Sequence, residues 1–141
     1  MVIFISFLPG IELRGSIPFG IALGFNPLLV TLVSVSANIL LIPILFLFLN
    51  YFWKVIKKWR IVGMYVSRLR KRSKPYVDKY GNYGIYIFVA IPLPGSGVYT
   101  GSLVAWLFGM DLKDVFLPMA LGVLTAALAI VLLSLGVISV L

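Results

Sequence analysis

Residues 8–24 read Leu-Pro-Gly-Ile-Glu-Leu-Arg-Gly-Ser-Ile-Pro-Phe-Gly-Ile-Ala-Leu-Gly. This segment is apolar enough for a bilayer, yet it contains two prolines, four glycines and the charged residues Glu12 and Arg14. Proline lacks the backbone N–H and clashes with the preceding helical turn, and glycine adds conformational freedom. We therefore predict that residues 1–25 form a re-entrant hairpin, in which two short helices meet at an irregular turn over residues 10–16. Irregular backbone at membrane depth must be buried in protein or line a wet cavity.

The composition places the whole chain in a membrane. Of its 141 residues, 62% are hydrophobic and 11% are charged, whereas soluble domains are about 45–50% apolar and about 25% charged. At about 20 residues for each inserted segment, residues 1–141 have room for about four such segments. The composition predicts a single all-α integral membrane domain.

Several functional classes are disfavoured by the residues that the chain lacks. It contains no histidine and no cysteine, which are the usual transition-metal ligands and the usual imidazole and thiol catalysts. We expect neither an enzyme, nor a metal site, nor a cofactor.

The positive charge is concentrated in one segment. The formal net charge is +8, and ten of the twelve basic residues lie between Lys54 and Lys79. Because hydrophobic spans flank this segment, it reads as a cytoplasmic loop under the positive-inside rule rather than as a nucleic-acid site. Apolar residues recur there at helical spacing, which predicts a basic amphipathic helix over residues 51–80, lying on the membrane surface and contacting anionic lipid head groups. The expected membrane-surface residues are Lys54, Lys57, Lys58, Arg60, Arg68, Arg70, Lys71 and Arg72.

The apolar segment that contains prolines and glycines occurs twice. Residues 7–30 pair with residues 92–115 without a gap, so that Leu8-Pro9-Gly10 falls on Leu93-Pro94-Gly95 and Gly24 falls on Gly109. Each copy then enters a long apolar run. We predict repeat one over residues 1–50 (hairpin 1–25, span 27–50) and repeat two over residues 84–141 (hairpin 85–110, span 113–141).

The relative orientation of the copies has two solutions. One copy precedes the basic loop and the other follows it, so the repeats are inverted if each hairpin stays on its own side of the membrane, as in many secondary transporters. The alternative is four complete spans with both termini in the cytoplasm. The positive-inside rule permits both arrangements.

The segments Leu-Pro-Gly-Ile-Glu-Leu-Arg-Gly-Ser-Ile-Pro and Ile-Pro-Leu-Pro-Gly-Ser-Gly-Val-Tyr-Thr-Gly resemble the prokaryotic membrane proteins described as small multidrug export proteins. That family is distantly similar to the DedA (VTT-domain) superfamily. The resemblance implies paired re-entrant loops, inverted repeats and a transporter in the prokaryotic plasma membrane. It also implies movement of small molecules, polyprenyl phosphates or phospholipids, coupled to protons or ions. The chain departs from DedA proteins in having no charge in residues 92–109.

Glu12 and Arg14 are the candidate site because they are the charges of the inserted segments. A charge at bilayer depth costs about 3 kcal/mol, which favours a functional role. Arg14 could bind an anionic head group through its planar donors, and Glu12 could exchange a proton in competition with substrate. Gly10, Gly15 and Gly95 would shape the turns and helix N-termini, and Tyr99 would line the cavity. The alternative is a structural ion pair that pins the hairpin tip.

We therefore expect a transporter of small amphipathic molecules or lipids. A hydrophobic cation would bind Glu12, and a phosphate-bearing lipid would bind Arg14. A membrane scaffold without transport activity is the competing interpretation, and it would tolerate neutral residues at both positions. A homodimer is favoured because four short segments barely enclose a cavity.

Overall fold

The chain folds into helices that pack around one apolar core. The computed structural model describes residues 11–91 and 97–140, and the regular elements in these ranges are α-helical. They are α1 (Glu12–Ala22), α2 (Pro27–Ile56), α3 (Arg60–Tyr80), α4 (Asn82–Ala90), α5 (Val98–Leu107) and α6 (Leu112–Val140). The predicted pairing of Leu8-Pro9-Gly10 with Leu93-Pro94-Gly95 lies outside the described residues.

Helices α2 and α6 are long and apolar enough to cross a membrane. They contain 30 and 29 residues, which corresponds to about 45 Å each and exceeds the hydrocarbon core of about 30 Å. Large apolar side chains such as Leu32, Leu40, Leu128 and Leu132 are about 60% exposed on their outer faces. The all-helical membrane class predicted from composition agrees with this architecture.

The first predicted hairpin needs a correction. Residues 12–16 do not form an irregular turn, because α1 runs without interruption from Glu12 to Ala22 and includes Pro18. Its buried face carries Leu13 and Ile17, which are 1% and 0% exposed. Burial of this face offsets the hydrogen bond that Pro18 cannot make, since proline is tolerated where neighbouring helices support the backbone. The glycine and proline inside this segment were therefore wrongly taken as helix breaks.

The basic amphipathic helix begins later than predicted. Residues 51–56 continue α2, and α3 starts at Arg60 after a short connection. The polarity of the sequence changes at Tyr51, but the helical hydrogen bonds persist to Lys57, whose N–H donates to the Trp53 carbonyl at 2.9 Å. The predicted span 27–50 is correspondingly longer, whereas the end of the basic helix at Tyr80 agrees with the prediction.

The predicted second hairpin, residues 85–110, includes most of one short helix, α4, and all of another, α5, instead of one long span. The break between them includes Ile91, which is extended, and Gly97. Helix α4 packs chiefly on α6, whereas α5 packs on α2 and α4. A bulkier residue at Gly122 would press against Val89 and the Tyr86 carbonyl, so the absence of a side chain there lets α4 and α6 approach closely.

The helix directions follow from two contacts with α2. Ser16 Oγ lies 2.8 Å from Ser34 Oγ, so α1 folds back antiparallel to α2 after the turn at residues 23–26. Trp106, near the end of α5, donates its indole N–H to Asn50 Oδ1 at 2.8 Å, close to the other end of α2. Helices α1 and α5 therefore end near opposite ends of α2.

The turns that follow α1 and α5 share their geometry. Gly24 and Gly109 have φ values of +85° and +70°, a left-handed conformation that favours glycine. The backbone N–H of Gly24 donates to the Ile21 carbonyl at 3.0 Å, and that of Gly109 donates to the Trp106 carbonyl at 3.1 Å. Under the pairing of residues 7–30 with 92–115, these bonds are equivalent. The unit of short helix, glycine turn and long helix thus occurs twice in the described chain.

Candidate functional site

The Glu12 carboxylate lies at the N-terminus of α5. It is 4% exposed, and it accepts the N–H groups of Val98 (to Oε2) and Tyr99 (to Oε1), both at 3.1 Å. The first N–H groups of a helix have no partner within the helix, and they carry a partial positive charge. A carboxylate at the start of α1 therefore caps α5.

The Arg14 guanidinium lies at the C-terminus of α4. Its Nη2 donates to the carbonyl oxygens of Ile91 at 2.8 Å and Val89 at 3.3 Å. Its Nη1 lies 3.4 Å from Glu12 Oε2. Because helix C-termini carry partial negative charge, the two charged residues match the two helix ends that meet at the break between α4 and α5. We call Glu12 and Arg14, with the backbone groups they bind, the charge clamp.

An unusual backbone conformation brings the two charges together. On a regular helix, residues two apart point in different directions. Glu12 has φ of +46°, and it is the non-glycine residue with positive φ in the described chain. A left-handed conformation costs roughly 1–2 kcal/mol in a residue with a side chain. The Glu12 backbone is therefore strained at the point where its carboxylate reaches both Arg14 and α5.

Gly97 leaves space for the carboxylate. A Cβ atom built on Gly97 would overlap Glu12 Oε2, and it would lie 2.9 Å from Arg14 Nη1. The backbone of Gly97 is extended, so space and not backbone conformation requires glycine here.

A buried polar ladder runs beside the clamp. Ser16 on α1 bonds Ser34 on α2, and Asn38 Nδ2 donates to the Ser34 carbonyl at 2.9 Å. These three side chains are 0% exposed. Within the described ranges, Asn38 Oδ1 has no hydrogen-bond partner. Since an unsatisfied buried polar atom costs about 1–3 kcal/mol, this oxygen is a feature that stability alone does not explain.

The structure joins some of the predicted site residues and separates others. Glu12, Arg14 and the backbone N–H of Tyr99 come together in the clamp. Gly15 lies inside α1, where its N–H donates to the Ile11 carbonyl at 3.0 Å, so it does not shape a turn. Gly10 and Gly95 lie outside the described residues. In the described ranges, no three acidic, histidine or cysteine residues group where they could hold a metal ion.

Sequence reasoning missed most of the clamp partners. Val89, Ile91 and Val98 contribute backbone groups, which leave no side-chain signal in a sequence. The breaks in the second copy could have suggested them, because each break exposes the helix-end groups that a buried charge can satisfy.

The predicted membrane-surface residues are all exposed, but they occupy three elements. Lys54 lies on α2, and Lys57 and Lys58 lie in the connection to α3. The remaining members lie on α3: Arg60, Arg68, Arg70, Lys71 and Arg72. The Arg70 guanidinium lies 5.8 Å from the centroid of the Phe108 ring, so α3 reaches the turn that follows α5.

Comparison with protein families identifies the chain. Residues 12–129 match the family model described as "Putative small multi-drug export protein". The chain belongs to this family. The match includes Glu12, Arg14 and all of helices α1 to α5, and it agrees with the resemblance inferred from the sequence motifs. Comparisons with curated proteins and with solved structures give no significant match.

Proposed function

We propose that this chain is a membrane transporter that exports small amphipathic cations in exchange for protons, with Glu12 as the exchanging group. The observation that carries the proposal is the buried Glu12 carboxylate at the N-terminus of α5. A carboxylate in the inserted part of a membrane protein is by default a functional group. The family description supports export of small molecules.

The proposed architecture is a pair of inverted repeats. In each repeat a hairpin, over residues 1–25 or 85–110, enters the membrane and returns to the side from which it came. The positions of Gly24 and Gly109 in similar turns support this architecture. Gly24 follows α1, which packs antiparallel to the start of α2. Gly109 follows α5 and lies near Asn50, toward the other end of α2. Transporters with such repeats bind substrate where their broken helices meet.

The lengths of the short helices are consistent with a site near the middle of the bilayer. Helices α1 and α5 contain 11 and 10 residues, or about 17 and 15 Å. Laid end to end, they match the hydrocarbon thickness of about 30 Å. Their N-termini meet at Glu12 and Val98, which places the carboxylate between the two halves.

The engagement of the two charges favours a cation as substrate over an anion. The Arg14 Nη2 group is directed to the carbonyls of Val89 and Ile91, so the guanidinium already has partners within the protein. The N–H groups at the α5 N-terminus are likewise taken up by Glu12. An anionic head group would have to displace these contacts, whereas a cation or a proton would bind the carboxylate itself.

Protonation of Glu12 provides the coupling step. The neutral carboxyl group loses its attraction to Arg14 and to the positive end of the α5 dipole. Both interactions hold α4 and α5 in their present relation, so proton binding weakens the clamp and cation binding competes with it. We further propose that the protein resides in a prokaryotic plasma membrane, that its exposed basic residues contact anionic lipid on the cytoplasmic side, and that it functions as a homodimer.

The experiment is transport by purified protein in liposomes. Vesicles with an acidic lumen receive ethidium, a fluorescent cation, and the gradient-driven accumulation of dye is followed. We expect uptake by the wild type, loss of uptake to the protein-free level in Glu12→Gln, and unchanged uptake in Asp78→Asn, which removes an exposed carboxylate on α3. Wild-type uptake by Glu12→Gln would overturn the assignment of Glu12. Absence of gradient-driven uptake by the wild type would favour the scaffold interpretation.

A further inference from the structure

Outside the charge clamp, the side-chain oxygen of Asn38 is buried without a partner in the described part of the chain. Asn38 lies on the inner face of α2, one helical turn after Ser34, and its amide nitrogen is bound to the Ser34 carbonyl. The nitrogen contact fixes the amide, so the free oxygen is an acceptor that is held in place with no donor.

The register between α1 and α2 places Asn38 level with Glu12. Ser16 and Ser34 are in direct contact across the two antiparallel helices. Glu12 lies one turn before Ser16, and Asn38 lies one turn after Ser34, so both steps lead to the same level of the bundle. Ser16, Ser34 and Asn38 are fully buried, and Glu12 is 4% exposed, so all four side chains lie in the interior of the bundle.

The hydrogen-bond partners of Glu12 include no acceptor for the O–H group that it carries when protonated. Its carboxylate oxygens receive Val98 N–H, Tyr99 N–H and Arg14 Nη1–H, all of which are donors. This set suits an ionised carboxylate. A protonated carboxyl group carries one O–H donor, and none of these three groups can accept it.

We propose that Asn38 Oδ1 accepts the hydrogen bond of the Glu12 carboxyl group when that group is protonated. Asn38 is then a positioning residue, because it stabilises the neutral carboxyl group of Glu12 by a hydrogen bond. The ionised carboxylate is stabilised instead by the donors of the charge clamp. No bond other than the O–H of Glu12 forms or breaks, and the proton comes from and returns to water or is displaced by the substrate. In the described chain, the ionisable groups that face Glu12 are Arg14 on α1 and Tyr99 on α5.

The second repeat supports this assignment by contrast. When the pairing of residues 7–30 with 92–115 is continued without a gap, Ser16, Ser34 and Asn38 correspond to Gly101, Met119 and Val123. A Cβ on Gly101 would lie 3.4 Å from the Met119 side chain, so the equivalent helices also touch there. The same packing is thus built without polar groups in the copy that lacks the carboxylate. The polar ladder of Ser16, Ser34 and Asn38 therefore occurs in the copy that carries Glu12, and the packing of these helices does not require it.

Infrared difference spectroscopy of the full-length protein across a pH titration tests the proposal. The carboxylic C=O band that disappears in Glu12→Gln reports protonated Glu12. In Asn38→Leu we expect this band to move to higher frequency, because the O–H group has lost its acceptor. We expect the titration midpoint to fall by about one pH unit, since one hydrogen bond of about 1–1.5 kcal/mol no longer stabilises the neutral form.

Two further variants separate this effect from a loss of structure. Asn38→Ser keeps a hydroxyl group that can bond the Ser34 carbonyl, as Ser36 bonds Leu32, but removes the amide oxygen, and we expect the same direction of change. Ser102→Ala removes another buried oxygen without a described partner and should leave both readouts at their wild-type values. Unchanged band and midpoint in Asn38→Leu or Asn38→Ser would overturn the proposal. Because the spectra require no transport, this result is distinguishable from failure of the proposed export function, on which the physiological meaning of the Asn38 role depends.

Discussion

The Glu12 carboxylate lies against Gly97, at the N-terminal end of α5. A side chain at position 97 would overlap the Glu12 carboxylate. The absence of a side chain at position 97 therefore leaves room for the carboxylate to accept the N–H groups of Val98 and Tyr99.

The close approach predicts that Gly97→Ala displaces the clamp. Its Cβ must push away a carboxylate that is held by two N–H groups and a guanidinium, so we expect a loss of about 1–3 kcal/mol in the free energy of unfolding and a marked loss of ethidium transport. Unfolding in detergent, followed by circular dichroism, measures the first effect. Gly136→Ala is the control, because a Cβ on Gly136 meets no atom within 4 Å; equal stability of the two variants would contradict the proposed contact.

The ion pair predicts strong coupling between Glu12 and Arg14. Removing one member takes the opposite charge away from the other, and breaking a buried ion pair costs up to about 3–5 kcal/mol. We expect Glu12→Gln and Arg14→Gln to be less destabilising together than the sum of their separate effects, by about 1–3 kcal/mol. A double-mutant cycle of unfolding free energies measures this difference. Additive effects would show that the 3.4 Å contact contributes no coupling.

The packing of α4 on α6 predicts a position-specific effect on the second long helix. A Cβ on Gly122 would lie 2.9 Å from Val89 Cβ and 3.0 Å from the Tyr86 carbonyl oxygen. We expect Gly122→Ala to lower the unfolding free energy by about 1–3 kcal/mol. Gly136→Ala, on the same helix but in open space, should be neutral or slightly stabilising because alanine is the better helix former. The reverse order of stabilities would be inconsistent with this packing.

The sequence predicted the kind of fold better than the limits of its elements. Composition and the apolar runs were sufficient for the membrane class and the two long helices, because these depend on local hydrophobicity. The predicted turn before Ser16 failed because α1 buries Leu13 and Ile17, a tertiary effect that outweighs the local preference of glycine and proline. The predicted end of α2 failed because a helix can continue past a change in polarity.

The site was predictable only in part. Glu12 and Arg14 were identified from the cost of charge in an apolar segment. Their partners are backbone groups at the ends of α4 and α5, and the residue types at these positions give no signal of such contacts. The proposed role of Asn38 depends on the register of α1 and α2, and that register is a property of the folded chain.

The proposed inverted arrangement predicts which side of the membrane each turn faces. The chain has no cysteine, so a single introduced cysteine can be labelled with an impermeant reagent without background. We expect Lys57→Cys and Asp111→Cys to be labelled from the same side, and Phe25→Cys from the other. Labelling of Asp111→Cys from the side opposite Lys57→Cys would instead support a complete span across residues 85–110.

Proton release on cation binding is the direct test of Glu12 as the exchanging group. Purified protein in weakly buffered solution is mixed with ethidium, and the pH change is recorded together with dye binding. We expect the wild type and Asp78→Asn to release protons as ethidium binds, and Glu12→Gln to release none. Equal proton release by Glu12→Gln, or ethidium binding by the wild type without proton release, would contradict the assignment of Glu12 as the group that exchanges a proton for substrate.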